Sequence, residues 1–239
     1  MQAGKRIAVI AGDGIGKEVT AEAVRVLEAI SEKFGVPFQI DSLPYGSDYY
    51  LETGIALPRD LRLKIGRDYD AVLLGAVGDP RIEDNVTGRE IVLGLRVDLD
   101  LYMNVRPVNL VDERVTPLKE KRIEDIQFTI VRENTEGCYG GLGGQQHQNT
   151  DHEVATATMI ATSRGVARVI RGAFEFAKAN GKSRVCLVHK ANAIPQFFLL
   201  WLRHFKAIAK EYPEITASDM LVDRAAMEII RAPEQFDIL

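Results

Sequence analysis

Apolar positions along this chain recur in two rhythms that take turns. Arg6–Ala11 (RIAVIA) is a short unbroken run of small and branched residues, the pattern of a buried strand. After it, Val19, Ala23, Leu27, Ile30 and Phe34 return every three or four positions. That spacing predicts a helix over 17–34, stopped by Gly35 and Pro37. The same reading predicts strands at Pro37–Asp41, Ala71–Leu74, Gln127–Arg132, 153–160, 184–188 and 215–222. Helices are expected at Leu57–Ile65, with Pro58 in its first turn, and at 88–99, 163–180, 195–211 and 223–231. Residues 101–109 read as extended, with Pro107 near their end. Strands alternating with helices imply an α/β protein with a largely parallel sheet. The middle of the chain, 101–160, is richer in strands, so two α/β regions are expected, 1–100 and 101–239.

Glycine interrupts the pattern at three places. Gly12-Asp13-Gly14-Ile15-Gly16 joins the first strand to the first helix, where a dinucleotide-binding loop would stand. The G-x-G-x-x-G fingerprint needs glycine at its sixth position, and that position is Lys17. The acidic residue expected to close the second strand, Asp41, lies further along than usual. A tight turn that uses glycine for positive φ explains the local signal equally well. The second place, Gly75-Ala76-Val77-Gly78-Asp79-Pro80, follows the strand at 71–74. It stands at a carboxyl end, where open α/β sheets bind ligands. The third is the polar, Gly-rich stretch 133–153, too long for an ordinary connection and of the length that tends to be functional.

Composition narrows the classes. The 239 residues are 46% hydrophobic and 27% charged, enough for a real core in one large or two small domains. The net charge of -4 is spread along the chain with no basic tract, which argues against a nucleic-acid partner. No stretch has the apolar length of a membrane span, and Ile7–Ala11 is too short for a signal peptide. Cys138 and Cys186 fit no metal or redox spacing, so a reducing cytoplasm is expected.

Five segments in one order carry a more specific signal: GDGIGKEV at 12–19, LDLYMNVRPV at 99–108, VRENTEGCYGG at 131–141, VHKAN at 188–192 and DMLVDRAAMEIIRAPEQFDI at 219–238. Together they resemble the β-decarboxylating dehydrogenases, the isopropylmalate, isocitrate, homoisocitrate and tartrate enzymes. The resemblance covers essentially the whole chain. It implies the fold of those enzymes, not a Rossmann fold, and oxidation of a 2-hydroxy dicarboxylic acid by NAD, or NADP, with loss of CO2. It also implies Mg2+ or Mn2+ and a homodimer with shared active sites. The opening glycine turn, with Ile15, then becomes a wall beside the nicotinamide, and Gly75, Ala76, Val77 and Gly78 approach the nicotinamide ribose.

The same resemblance assigns roles to single residues. Arg96, Arg106 and Arg132 would bind substrate carboxylates, for which the guanidinium fork is suited. Tyr139 and Lys190 would transfer protons, and a lysine among cations is usable as a base near neutral pH. Asn192 would orient substrate or nicotinamide, and Asp223 would ligate the metal, although an aspartate there could also cap a helix. Glu133 and Glu136 could shape the site. His189 stands where the family usually has aspartate.

Substrate choice is expected from helix 88–99, where Arg89, Val92, Leu93 and Arg96 share one face at α-helical spacing. If Arg96 touches the common core, Val92 and Leu93 touch what varies, and two aliphatics suit an isopropyl group. That favours 3-isopropylmalate and a step of leucine biosynthesis. Homoisocitrate, isocitrate or tartrate remain alternatives, since Arg89 could hold a distal carboxylate. The ending EQFDIL reads as the opening of a buried strand. The expectation is therefore a C-terminally truncated enzyme whose first region lacks a returning segment and whose NAD and metal sites are weak. A non-catalytic dimerisation module is the other reading.

Overall fold

Ile7–Ile10 are four apolar residues in a row, which need cover on both sides, and they find it at the centre of a sheet. β1 (Lys5–Ile10) pairs in parallel with β2 (Phe38–Leu43) on one side and β3 (Ala71–Leu74) on the other. The computed structural model describes residues 4–239, and the chain divides into two units between Leu101 and Tyr102.

In the first unit, α1 (Ile15–Phe34) connects β1 to β2. Its rotation differs from the expected one. Gly16 and Thr20 are buried, whereas Val19, Ile30 and Phe34 of the expected inner stripe are exposed. The cause lies at the N-terminus: a Cβ on Gly16 would sit 2.5 Å from the Ala11 carbonyl and 2.7 Å from the Ala76 amide, so backbone contact fixes that face inward. α2 (Ser47–Thr53) was not expected, because SDYYLET has no apolar period. α3 (Arg59–Asp68) starts after Pro58, later than the sequence suggested. The expected helix 88–99 is two pieces, a π-helical segment Gly88–Leu93 and α4 (Gly94–Asp98). Ala8, Ile10, Leu57, Ile65, Ile91 and Leu95 form the core. Arg62 fastens the two helical layers: its Nε donates to Asp98 at 2.6 Å, and its Nη1 to the carbonyls of Leu57 and Glu90 at 2.5 and 3.0 Å.

The second unit departs from a parallel sheet. β4 (Met103–Asn109) and β5 (Gln127–Glu133) are antiparallel, and β8 (Arg184–His189) and β9 (Thr216–Leu221) are parallel. Residues 237–239 join the two pairs. Ile238 bridges Thr129 of β5 and Val185 of β8. The Leu239 carbonyl accepts from Val131 at 2.7 Å, and the Ile238 carbonyl from Cys186 at 2.9 Å. The mixed sheet carries α5 (Ser163–Ala179) and α6 (Pro195–Ile208) on one face, over Val185 and Ile238. On the other face Phe128, Cys186 and Phe236 meet Ile229 of α7 (Val222–Arg231). Between β5 and α5 runs a two-stranded antiparallel arm, β6 (Gly143–Gln146) and β7 (Val154–Ala157), exposed along both strands. It occupies part of the expected long loop, and the strand expected at 153–160 shrinks to its four residues. Among the described residues, no helix is long and apolar enough to cross a membrane.

Candidate active site

The opening glycines bring backbone to backbone. A Cβ on Gly12, whose φ is +72°, would stand 2.1 Å from the Ala76 carbonyl; one on Gly75 would stand 2.1 Å from the Ala11 carbonyl. The Asp13 amide donates to the Ala76 carbonyl at 2.6 Å. The loop after β1 is therefore closed against the loop after β3, and it forms no phosphate cradle. It leaves a wall at the carboxyl end of the sheet on which Ile15, Ala76 and Gly78 are exposed and Val77 is half-buried. Behind it Asp13, which no pattern along the chain singles out, is buried with Ser47 and Thr87.

Arg96 stands half-buried on α4 in the same unit, and Val92 and Leu93 are half-buried on the π-helical segment. A π turn holds more residues than an α turn, so it breaks the single face expected for Arg89, Val92, Leu93 and Arg96. The inner face is Thr87, Ile91 and Leu95, all buried, while Arg89 is exposed and lies 3.8 Å from Glu90.

In the second unit, Arg106 and Arg132 project from the same face of the β4–β5 ladder, where Asn104 is paired with Arg132. Arg106 Nε donates to Asn104 Oδ1 at 2.8 Å, Asn104 Nδ2 to Asn134 Oδ1 at 3.3 Å, and Arg132 Nη2 to the same Asn134 oxygen at 3.1 Å. Two cations are thus spaced by two amides, and among the described residues Arg132 Nε is buried with no hydrogen-bond partner. The Arg132 guanidinium lies 5.5 Å from the centre of the Tyr139 ring.

The acids of the RENTEG stretch hold Tyr139 in place. Glu133 accepts from the Thr135 hydroxyl at 2.7 Å and from the amides of Thr135 and Glu136 at 2.9 and 2.6 Å, closing the turn. Glu136 accepts from the Thr162 amide at 2.8 Å and the Thr162 hydroxyl at 2.6 Å, fixing the start of α5. Gly137 and Ile160 exchange backbone hydrogen bonds of 2.8 and 3.2 Å. The turn Cys138–Gly140 is held at both ends and presents Tyr139 half-exposed.

Lys190 follows β8 directly and forms a close ion pair with Asp223 in the first turn of α7. That hydrogen bond holds the Asp223 carboxyl below the ordinary carboxylate range. Asp223 does not cap the helix, since Leu221 occupies that position. Asn192 is exposed in the turn that follows Lys190. Buried His189 supports the turn: its Nδ1 accepts from the Ala191 amide at 3.1 Å, which leaves Nε2 to donate to Asp219 at 3.2 Å.

A cleft of about 370 Å³ opens between β5 and β8 beyond Leu239. Arg132, Glu133 and Tyr139 stand at its polar side, while Met159, Ala173 and Trp201 belong to a largely apolar remainder. A dianion would be desolvated there without enough partners, so the polar ladder of β4 and β5 suits it better.

The chain has relatives among known proteins. The pattern of the family described as isocitrate/isopropylmalate dehydrogenase matches residues 6–239. The 3-isopropylmalate dehydrogenase of Bifidobacterium longum (strain DJO10A) is 43% identical over 235 residues, 98% of this chain and 67% of that protein. That of Geobacillus kaustophilus is 41% identical, over 98% of this chain and 64% of its own length. The crystal structure of isocitrate dehydrogenase from Methylococcus capsulatus superposes with a TM-score of 0.84 at 34% identity, over 98% of this chain and 66% of that one. The chain is an α/β protein of the dehydrogenase type. It belongs to the isocitrate/isopropylmalate dehydrogenase family and spans about two thirds of the length of these relatives.

Proposed function

We propose that this chain carries the substrate-binding and proton-transfer residues of an NAD-dependent enzyme that oxidises and decarboxylates 3-isopropylmalate. The observation that carries the reading is the Arg106–Asn104–Asn134–Arg132 ladder with Tyr139 against it, in a chain whose relatives are named for that substrate. Arg106 and Arg132 bind substrate carboxylate oxygens, and the same role is assigned to Arg96 of the first unit on the family resemblance. Lys190 takes the hydroxyl proton. Held against Ile15, Ala76 and Gly78, NAD would supply the acceptor for the hydride of the carbinol carbon. The β-carboxylate then leaves as CO2, the bonding pair it gives up forms an enolate, and the enolate carbon takes a proton from Tyr139 to give the ketone. Leu93, with Val92 beside it, meets the isopropyl group.

The exposed wall of Ile15, Ala76 and Gly78 fits the nicotinamide end of NAD. The divalent cation fits less well. Hard cations need several oxygens, Asp223 alone supplies two, and Lys190 already engages one. Among the described residues, no three acidic, His or Cys side chains gather as a metal site. No step is therefore assigned to a metal. A homodimer belongs to the same proposal: Met227 and Ile230 on α7 and Leu199 on α6 are exposed apolar side chains, and the arm β6–β7 offers an open edge.

The test is a substrate panel with NAD: 3-isopropylmalate, isocitrate, homoisocitrate, tartrate and malate. Oxidation of 3-isopropylmalate with the highest kcat/KM is expected, and Lys190→Met should nearly abolish it while leaving substrate binding measurable. A preference for a substrate with a distal carboxylate, abolished by Arg89→Ala, would move the assignment to isocitrate or homoisocitrate.

A further inference from the structure

Asp13 sits at the crossing of three loops. Its Oδ1 accepts from the Ser47 amide at 2.5 Å, and its Oδ2 accepts from the Ser47 hydroxyl at 2.6 Å and the Gly78 amide at 2.8 Å. The loop after β1, the start of α2 and the loop after β3 are thereby tied by one buried carboxylate. Ser47 Oγ also lies 3.3 Å from Thr87 Oγ1. Ser47 has one hydroxyl proton, and Asp13 receives it, so Thr87 is the donor in that second bond. The chain runs Thr87 to Ser47 to Asp13, each bond polarising the next. Ser47 and Thr87 are wholly buried, so neither hydroxyl has water as a substitute. Thr87 immediately precedes the π-helical segment that carries Arg89, Val92 and Leu93.

We propose that Asp13 is a positioning residue: it sets the wall formed by residues 75–78 and, through Ser47 and Thr87, the placement of the helix that chooses the substrate. The role assigned to that wall and that helix rests on the function proposed above. The geometry gives the two arms of the clamp separate consequences. Loss of the carboxylate releases Gly78 and Ser47 together. Loss of the Thr87 hydroxyl alone leaves the wall tied and frees only the helix.

Amide hydrogen exchange on the 239-residue chain reads both arms without any turnover. Asp13→Asn keeps one acceptor oxygen, enough for the Ser47 amide, so it is the Gly78 amide that should exchange at least tenfold faster, while those of β1 keep their protection. In Thr87→Val the amides of 88–93 should exchange faster and that of Gly78 should not; Thr87→Ser, which keeps the hydroxyl, should restore them. Kinetics supply the second readout. Thr87→Val should raise KM for 3-isopropylmalate at least fivefold, with kcat and the KM for NAD within twofold of the parent. Asp13→Asn should raise both KM values. Unchanged Gly78 exchange in Asp13→Asn, or a Thr87→Val variant that shifts both KM values equally or neither, would overturn the clamp. Should Asp13→Asn lose protection throughout β1, the Thr87 pair decides. Absence of 2-hydroxy-acid oxidation in the parent would overturn the functional reading, and exchange would still judge the clamp.

Discussion

Asp223 and Asp13 carry the same functional group and put it to different uses. Asp223 is exposed and answers one cation, Lys190; Asp13 is buried and answers three neutral donors. Because Lys190 is what depresses Asp223, Lys190→Met should let that carboxyl titrate near the ordinary value of ~3.9. Carboxyl-carbon NMR on the two proteins would show it, and an unmoved titration would mean that the pair does not form in solution. Tyr212 offers a second titration. Its hydroxyl donates to Glu175 at 2.6 Å, and that bond, with burial, pushes its pKa up to about 12. A group raised in the folded state contributes stability that is complete below its unfolded value of ~10 and is lost as pH rises through about 12. Tyr212→Phe should therefore be less sensitive than the parent to alkaline pH between those values, followed by denaturant melts at each pH. Lys190, Asp223, Arg106 and Arg132 could be singled out in the sequence because their motifs are contiguous. Asp13 could not, although it stands in one of those motifs. Its partners Ser47, Gly78 and Thr87 are distant in sequence, and only the folded loops bring their donors to it.

At the scale of elements, what the sequence disclosed depended on how each element is buried. β3 matched residue for residue, since AVLL is a plain apolar run bounded by turn residues. The face of α1 did not, because Gly16 and its backbone neighbours fix the rotation and glycine has no hydropathy to read. The π-helical segment was also hidden, since its extra residue per turn leaves the same apolar positions on the page. Close approach of backbones gives a direct test. A Cβ on Gly75 would meet the Ala11 carbonyl at 2.1 Å and Thr20 Oγ1 at 2.6 Å, whereas one on Gly54, at φ +71°, meets nothing within 4 Å. Gly75→Ala should cost about 3 kcal/mol, as overpacking against backbone does. Gly54→Ala should cost only the ~1 kcal/mol of a left-handed residue. Urea melts of both variants would show the gap, and equal losses would mean that the loops after β1 and β3 are not in contact. For the π-helical segment, Leu93→Ser should lower kcat/KM for 3-isopropylmalate by roughly 1–3 kcal/mol in barrier terms and that for malate much less.

At the scale of the whole molecule, each unit has its own core, and the second is stitched across its middle by residues 237–239. That stitching fixes an order of events. β4 and β5 can pair as neighbours along the chain, and β8 and β9 across a single helix, but their joining waits for Ile238 to reach Thr129 and Val185. Such a contact between distant residues carries a loop-closure cost before it yields any pairing, which makes it the natural slow step. Trp201 is the chain's single tryptophan and packs in that unit's core, so its fluorescence follows this unit alone. Ile238 is fully buried, and Ile238→Ala should cost about 2–5 kcal/mol. If closure sets the rate, most of that loss will appear as slower refolding and little as faster unfolding. The opposite split, with refolding unchanged, would place the joining of the two halves after the barrier.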